Sequence, residues 1–230
     1  MKILIAGSMK TPASETAFQS FKSACREIGR ELATNGHTIL LGSDSNKTAD
    51  RYVMEGLSSV PGQHDVIVYY SEMVDADEAA HENRVPFPQA DPSSVRIRHK
   101  PYSGQWTVAH TAGINAADVV LLIGGSRRCD LVGSMARVVG KPVLALPLFG
   151  GAAETVWKEI NSAYDGCGIS EQEMESLKLW KGESASYCRQ RSSEALQTQS
   201  IQTEINCRHN RYFFYYSAIF SLLGLGVRLC

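Results

Sequence analysis

The stretch from Ala117 to Trp157, ADVVLLIGGSRRCDLVGSMARVVGKPVLALPLFGGAAETVW, decides the fold. Val119 to Ile123 is an apolar, β-branched run of the length of a strand buried on both faces. It ends at Gly124, Gly125 and Ser126. Asp130 to Val139 then carries Leu131, Met135, Val138 and Val139 at helical spacing, and Gly140 closes that segment. A second apolar run, Val143 to Leu146, leads to another glycine pair, Gly150 and Gly151. From Ala152 to Tyr164, residues Ala153, Val156, Trp157, Ile160 and Ala163 share one helical face. The pattern strand, glycine loop, helix, repeated twice, predicts an α/β fold. Its parallel sheet places both glycine loops at the carboxyl end of the strands.

Ligands of open α/β sheets bind at that end, where helix N-termini offer unpaired N–H groups and a favourable dipole for anions. Glycines let the backbone approach a phosphate closely. Arg127 and Arg128, expected in the first loop, could clamp phosphate or carboxylate in bidentate fashion.

The run GG-SRR-x-x-LVGSMA-x-x-x-GKPVLALPLFGG, with an early Gly-Ser loop and a mid-chain Gly loop, resembles the SLOG superfamily. This Rossmann-like group includes the Smf/DprA proteins and the LOG phosphoribohydrolases. The likeness covers roughly Lys2 to Tyr164 and implies a nucleotide-binding domain over residues 1–165. LOG enzymes carry PGGxGTxxE with a catalytic Glu. Here Ile123 replaces the Pro, Arg127 and Arg128 replace Gly-Thr, and Leu131 stands where the Glu would be. The resemblance therefore implies ligand binding without LOG-type hydrolysis. It is similar to the SLOG sensor domains of bacterial anti-phage systems, which recognise cyclic or ADP-ribose-type nucleotides.

The rest of the chain supplies the other loops of that end. Lys2 to Ala6 reads as the first strand and turns at Gly7 and Ser8. Ser14 is the expected N-cap of a helix whose Phe18, Phe21, Cys25, Ile28 and Leu32 make an apolar stripe. His37 to Leu41 is the second strand, ending at Gly42, Ser43 and Asp44. Asp44 is placed either for a ribose hydroxyl or for an Asx turn before the helix Thr48 to Leu57. Asp65 to Tyr70 is the third strand. The polar, proline-interrupted section Ser71 to Pro92 is long enough to be a lid or an insertion. Its Asp75, Asp77, Glu78 and Glu82 are acid/base candidates or a solvated helix face. Val95 to His99 alternates as an exposed strand with Arg96 and Arg98 on one side. Gln105 to Ala116 is a helix carrying His110, a packed residue or a catalytic one.

Composition bounds the function. The 230 residues carry a formal net charge of −1, which offers no basic face for nucleic acid. Cys25, Cys129, Cys167, Cys188, Cys207 and Cys230 show no zinc spacing, and scattered cysteines without a secretory signal suggest a reducing cytoplasm. No resident cofactor or metal is expected. Residues 166–210 read as a helical or polar tether. The segment 211–230 contains an uncharged run, YFFYYSAIFSLLGLGV, behind Arg208, His209 and Arg211. A membrane span needs about 20 apolar residues, so this segment is either a short span with cytoplasmic attachment or a helix docking in a homo-oligomer.

Three functions follow. One is a sensor whose nucleotide-type ligand contacts Gly7, Ser8, Gly42, Ser43, Asp44, Gly124 to Arg128, Gly150 and Gly151 and changes assembly. The second is an enzyme cleaving a nucleotide N-glycosidic bond, with Glu154 stabilising oxocarbenium-like charge; its other role is to complement the helix dipole. The third is an adaptor with a vestigial pocket.

Overall fold

The computed structural model describes residues 1–9, 14–43, 48–72 and 94–163. The elements run β1 (Lys2–Ser8), α1 (Glu15–Thr34), β2 (Thr38–Leu41), α2 (Ala49–Ser58), β3 (His64–Ser71), β4 (Val95–Tyr102), α3 (Trp106–Ala116), β5 (Val119–Gly124), α4 (Arg127–Val138), β6 (Val143–Leu146) and α5 (Gly151–Ala163). Every strand pair is parallel, in the order β4-β3-β2-β1-β5-β6. The chain winds outward from β1 to β4, returns through α3, and continues on the other side of β1 with β5 and β6. That reversal between β1 and β5 is a topological switch point, where open α/β sheets bind ligands. The fold is Rossmann-like, as the sequence pattern predicts.

The strand period of two sorts the core into two layers. Ile3 and Ile5 point to the layer holding Phe21, Cys25, Ile28 and Val53 of α1 and α2. Leu4 and Ala6 point to the layer holding Ile114, Val132, Ala153 and Val156 of α3, α4 and α5. All six residues of β5 are buried, because helices cover both its faces and strands flank both its edges. Each fully buried aliphatic side chain contributes about 1.5–3 kcal/mol.

Ser14 caps α1 by accepting from the Ala17 N–H at 3.1 Å. The helix ends in a Schellman arrangement in which Gly36 takes φ +69° and His37 N–H reaches Leu32 O at 3.0 Å. Helices α1 and α2 approach backbone to backbone. A Cβ on Gly29 would strike Val53 O, and one on Gly56 would strike Arg26 O.

Two sequence expectations change. Helix α4 begins at Arg127, not Asp130, because Ser126 adopts the extended N-cap conformation, φ −104° and ψ −169°. Arg127 and Arg128 are therefore the first helical residues instead of loop residues. Of the expected stripe Leu131, Met135, Val138 and Val139, Met135 packs against the core layer, while the other three are exposed. Val132, Gly133 and Ala136 face the core, while Val138 is 86% exposed. Small residues win there because the helix lies close to the sheet: a Cβ on Gly133 would sit 2.8 Å from Leu122 Cδ1 and 3.0 Å from Val156 Cγ2.

Strand β4 is longer than expected and forms one sheet edge. Arg96 and Arg98 share a side, both directed at Asp65 at 3.5 and 4.0 Å. Asp44, the acids of the 73–92 section, the tether and the apolar 211–230 segment lie outside the described residues. Among the described residues no helix is long and apolar enough to cross a membrane.

Candidate functional site

The carboxyl ends of β1, β5 and β6 are stitched into one surface by main chain. The Gly125 N–H donates to Ser8 O at 2.7 Å, and the Ala152 N–H donates to Gly125 O at 3.1 Å. The loop after β1, the glycine loop before α4 and the one before α5 thus touch in sequence across the switch point. Gly125 and Gly151 have φ +103° and +65°. A Cβ on Gly125 would lie 2.5 Å from Cys129 Cβ, and one on Gly151 would strike Gly125 O. Neither position accepts a side chain, so bare backbone lines this surface. Between β6 and α5 a single 3-10 turn, Pro147–Phe149, sets Gly150. Its Phe149 packs edge-on against Phe21 of α1 at 5.3 Å, which ties the loop to the core.

Two helix N-termini, those of α4 and α5, open onto this surface. Ser126 makes no side-chain cap to α4, and Arg127 and Arg128, the first residues of that helix, are exposed. Gly7 has a different role from the one expected. It is buried within β1 opposite Ile123, and a Cβ there would strike Ile123 O. Its lack of a side chain serves strand packing beneath the site.

The Cys129 thiol lies under the glycine loop, where a Cβ on Gly125 would come within 2.8 Å of its Sγ. Burial pushes that thiol up to about 11; a backbone hydrogen bond at Ser126 opposes the shift, and the Asp50 carboxylate adds to it. Cys129 is therefore a protonated thiol near neutrality and not a nucleophile. Burial between α1 and the sheet, and then the Asp50 carboxylate, push the Cys25 thiol well above its ordinary value as well. Asp50 is only 3% exposed in the first turn of α2. Sequence reasoning passed over it because an acid in a first turn reads as an ordinary dipole partner.

The second strand contributes Gly42 and Ser43. A Cβ on Gly42 would lie 2.7 Å from Nε2 of His110, so the glycine makes room for that imidazole. His110 Nδ1 lies 2.9 Å from Trp106 O one turn earlier, and the two rings meet edge to face at 5.0 Å. The Arg128 guanidinium sits over the Trp106 indole at 5.4 Å. Trp106 is the residue the sequence reading missed. Its place at the start of α3, directly after the loop that follows β4, was the available signal.

Glu154 is in the first turn of α5 beside Gly150, with Oε2 3.7 Å from where a Gly150 Cβ would be. Its carboxylate pairs with Lys158 at 2.6 Å along the same helix. Among the described residues no group of three or more His, Cys, Asp or Glu could hold a metal ion.

The fold is a Rossmann-like α/β domain in which glycine loops and the two arginines that open α4 meet at the switch point. No protein-family model matches the chain, and no curated protein matches it either. Among solved structures it is similar to the structural-genomics target TM1055, at 20% identity and a TM-score of 0.50, over 68% of this chain and 80% of that one. A molybdenum cofactor binding protein from Rippkaea orientalis matches at 17% identity and a TM-score of 0.46, over 70% and 83%. The molybdenum cofactor carrier protein of Chlamydomonas reinhardtii matches at 18% and 0.46, over 70% and 85%. At these identities the likeness to TM1055 establishes the fold.

Proposed function

We propose that the chain is a sensor that binds a nucleotide-derived signal, of the cyclic nucleotide or ADP-ribose type, and switches its oligomeric state. The observation that carries this reading is the meeting of glycine loops and a helix start at the β1/β5 switch point. There Gly124, Gly125 and Ser126 lead into a helix N-terminus flanked by Arg127 and Arg128, with Ser8 on one side and Gly150 and Gly151 on the other. Backbone amides, a helix dipole and two permanently charged guanidiniums are the chemistry of phosphate recognition. Leu131 occupies the position of the LOG glutamate and is exposed on α4, which leaves no carboxylate for that hydrolysis.

The assembly half of the reading rests on Leu131 and Val138 of α4 and Val139 at its C-cap, exposed apolar residues that a second copy would cover. Residues 166–210 and the apolar 211–230 would carry the output, in anti-phage defence if the SLOG likeness extends to role. A signal shifts assembly only if it binds one state more tightly than the other.

The second reading, N-glycosidic cleavage, is favoured by one observation: Glu154 lies beside Gly150 at the ligand end. The test is thermal unfolding of the full chain with ADP-ribose, cyclic ADP-ribose isomers, cyclic dinucleotides and AMP, with the ligand recovered and analysed afterwards. A ligand at 100 times its Kd stabilises by about 2.7 kcal/mol. A shift with intact ligand, abolished in Arg127→Ala/Arg128→Ala, supports the sensor. Recovery of free base and ribose phosphate establishes the enzyme instead. If none of these ligands produces a shift, both nucleotide readings are overturned.

A further inference from the structure

Trp106 is a large, half-buried indole that touches the first turn of α4, and its surroundings hold it in place from three directions. Its inner edge packs against the core layer beneath α3. His110 meets it edge to face at 5.0 Å, and Nδ1 of that imidazole lies 2.9 Å from the Trp106 carbonyl oxygen. Gly42, at the end of β2, leaves the space into which the His110 ring fits. On the third side Arg128, from the first turn of α4, lays its guanidinium over the indole at 5.4 Å. Core packing alone would be served by a leucine at this position. An indole fixed by a histidine and faced by a guanidinium forms instead a rigid, flat, amphipathic wall beside the phosphate-binding backbone.

We propose that Trp106, together with Arg128, is the stacking wall that recognises a planar heteroaromatic base, so that the site selects nucleotides over base-free sugar phosphates. This rests on the ligand-binding reading above and names its specificity determinant. Arg127 and Arg128 divide the work by position. Arg127 is the first helical residue, next to the Ser126 N-cap and the glycine backbone, and serves the anion. Arg128 is anchored on Trp106, and its planar guanidinium extends the aromatic surface. Every base has a π-face, so such a wall discriminates base from no base more than one base from another.

The experiment titrates ADP-ribose, AMP and ribose 5-phosphate calorimetrically into the full chain and into Trp106→Leu, Trp106→Phe and Arg127→Ala. The wild-type protein is expected to prefer the nucleotides. Trp106→Leu should cut that preference roughly ten-fold or more, with ribose 5-phosphate affinity unchanged. Trp106→Phe should restore most of it, which a merely structural role for the indole would not predict. Arg127→Ala should weaken all three probes alike. A preference unchanged in Trp106→Leu overturns the stacking wall and leaves the ligand-binding reading standing. Failure of wild-type protein to bind either nucleotide overturns the ligand-binding reading for these probes, and the wall with it.

Discussion

Gly125→Ala is expected to destabilise the protein by about 2–5 kcal/mol, and the structure separates that loss into two parts. The first is conformational. Gly125 has φ +103°, and an L-residue held in positive φ costs about 1–2 kcal/mol. The second is steric. The new Cβ would stand 2.5 Å from Cys129 Cβ and 2.8 Å from Cys129 Sγ, and overpacking of this kind adds about 1–3 kcal/mol. Gly140 isolates the first part, because it has φ +70° with nothing within 4 Å of its would-be Cβ. Gly140→Ala should therefore cost only about 1–2 kcal/mol. Any change in unfolded-chain entropy is common to both substitutions and cancels in the comparison. In urea unfolding the midpoint of Gly125→Ala should fall roughly 0.5–1.5 M below that of Gly140→Ala. Cys129→Ala removes only the Sγ contact and should recover little of the loss, whereas Cys129→Gly removes the Cβ contact as well and should recover more. Equal midpoints for Gly125→Ala and Gly140→Ala would refute the reasoning, because the close contact beneath the glycine loop would then carry no energy.

Gly42→Ala should displace the His110 ring, whose Nε2 would be 2.7 Å from the added carbon. It is expected to weaken nucleotide binding several-fold with a smaller effect on the unfolding midpoint; unchanged affinity would detach His110 from the site. Cys129 titrates at about 11 in the folded chain against an ordinary 9.0. Its contribution, on the order of 2 kcal/mol, should be present below pH 9 and be lost as pH rises toward 11. Cys129→Ala should flatten that part of the stability–pH curve. His37 shifts the opposite way: burial first and the N-terminal ammonium second hold its imidazole below 6.5. That stability is present above pH 6.5 and fades on acidification through the lower folded value, and a flat acid limb in the wild-type curve that matches His37→Gln would reject it. Glu154→Gln breaks only an exposed i,i+4 pair with Lys158; it should cost under about 0.5 kcal/mol and leave ligand affinity intact, as thermal unfolding with and without ADP-ribose would report.

Much of the fold was legible along the chain. The β-branched run Val119 to Ile123 between glycine and polar breaks could only be a doubly covered strand. The stripe Phe21, Cys25, Ile28 and Leu32 could only be a helix against it, because burial of that period leaves one geometry. The alternation of such segments set a parallel sheet, and hence the end at which Gly42, Gly124 and Gly150 fall. Periodicity was less reliable on α4, where Leu131 and Val138 read with Met135 as the buried face but stand exposed. The sheet instead takes Val132, Gly133 and Ala136, because closeness of approach rewards small residues over large apolar ones, and no one-dimensional pattern records distance. The strand order, with its reversal between β1 and β5, is likewise a matter of which edges pair. Only tertiary structure set Trp106 beneath Arg128, tucked His110 against Gly42, and buried Asp50 beside two thiols. Each of these relations joins residues on different elements, and their meaning lies in contact, not in spacing.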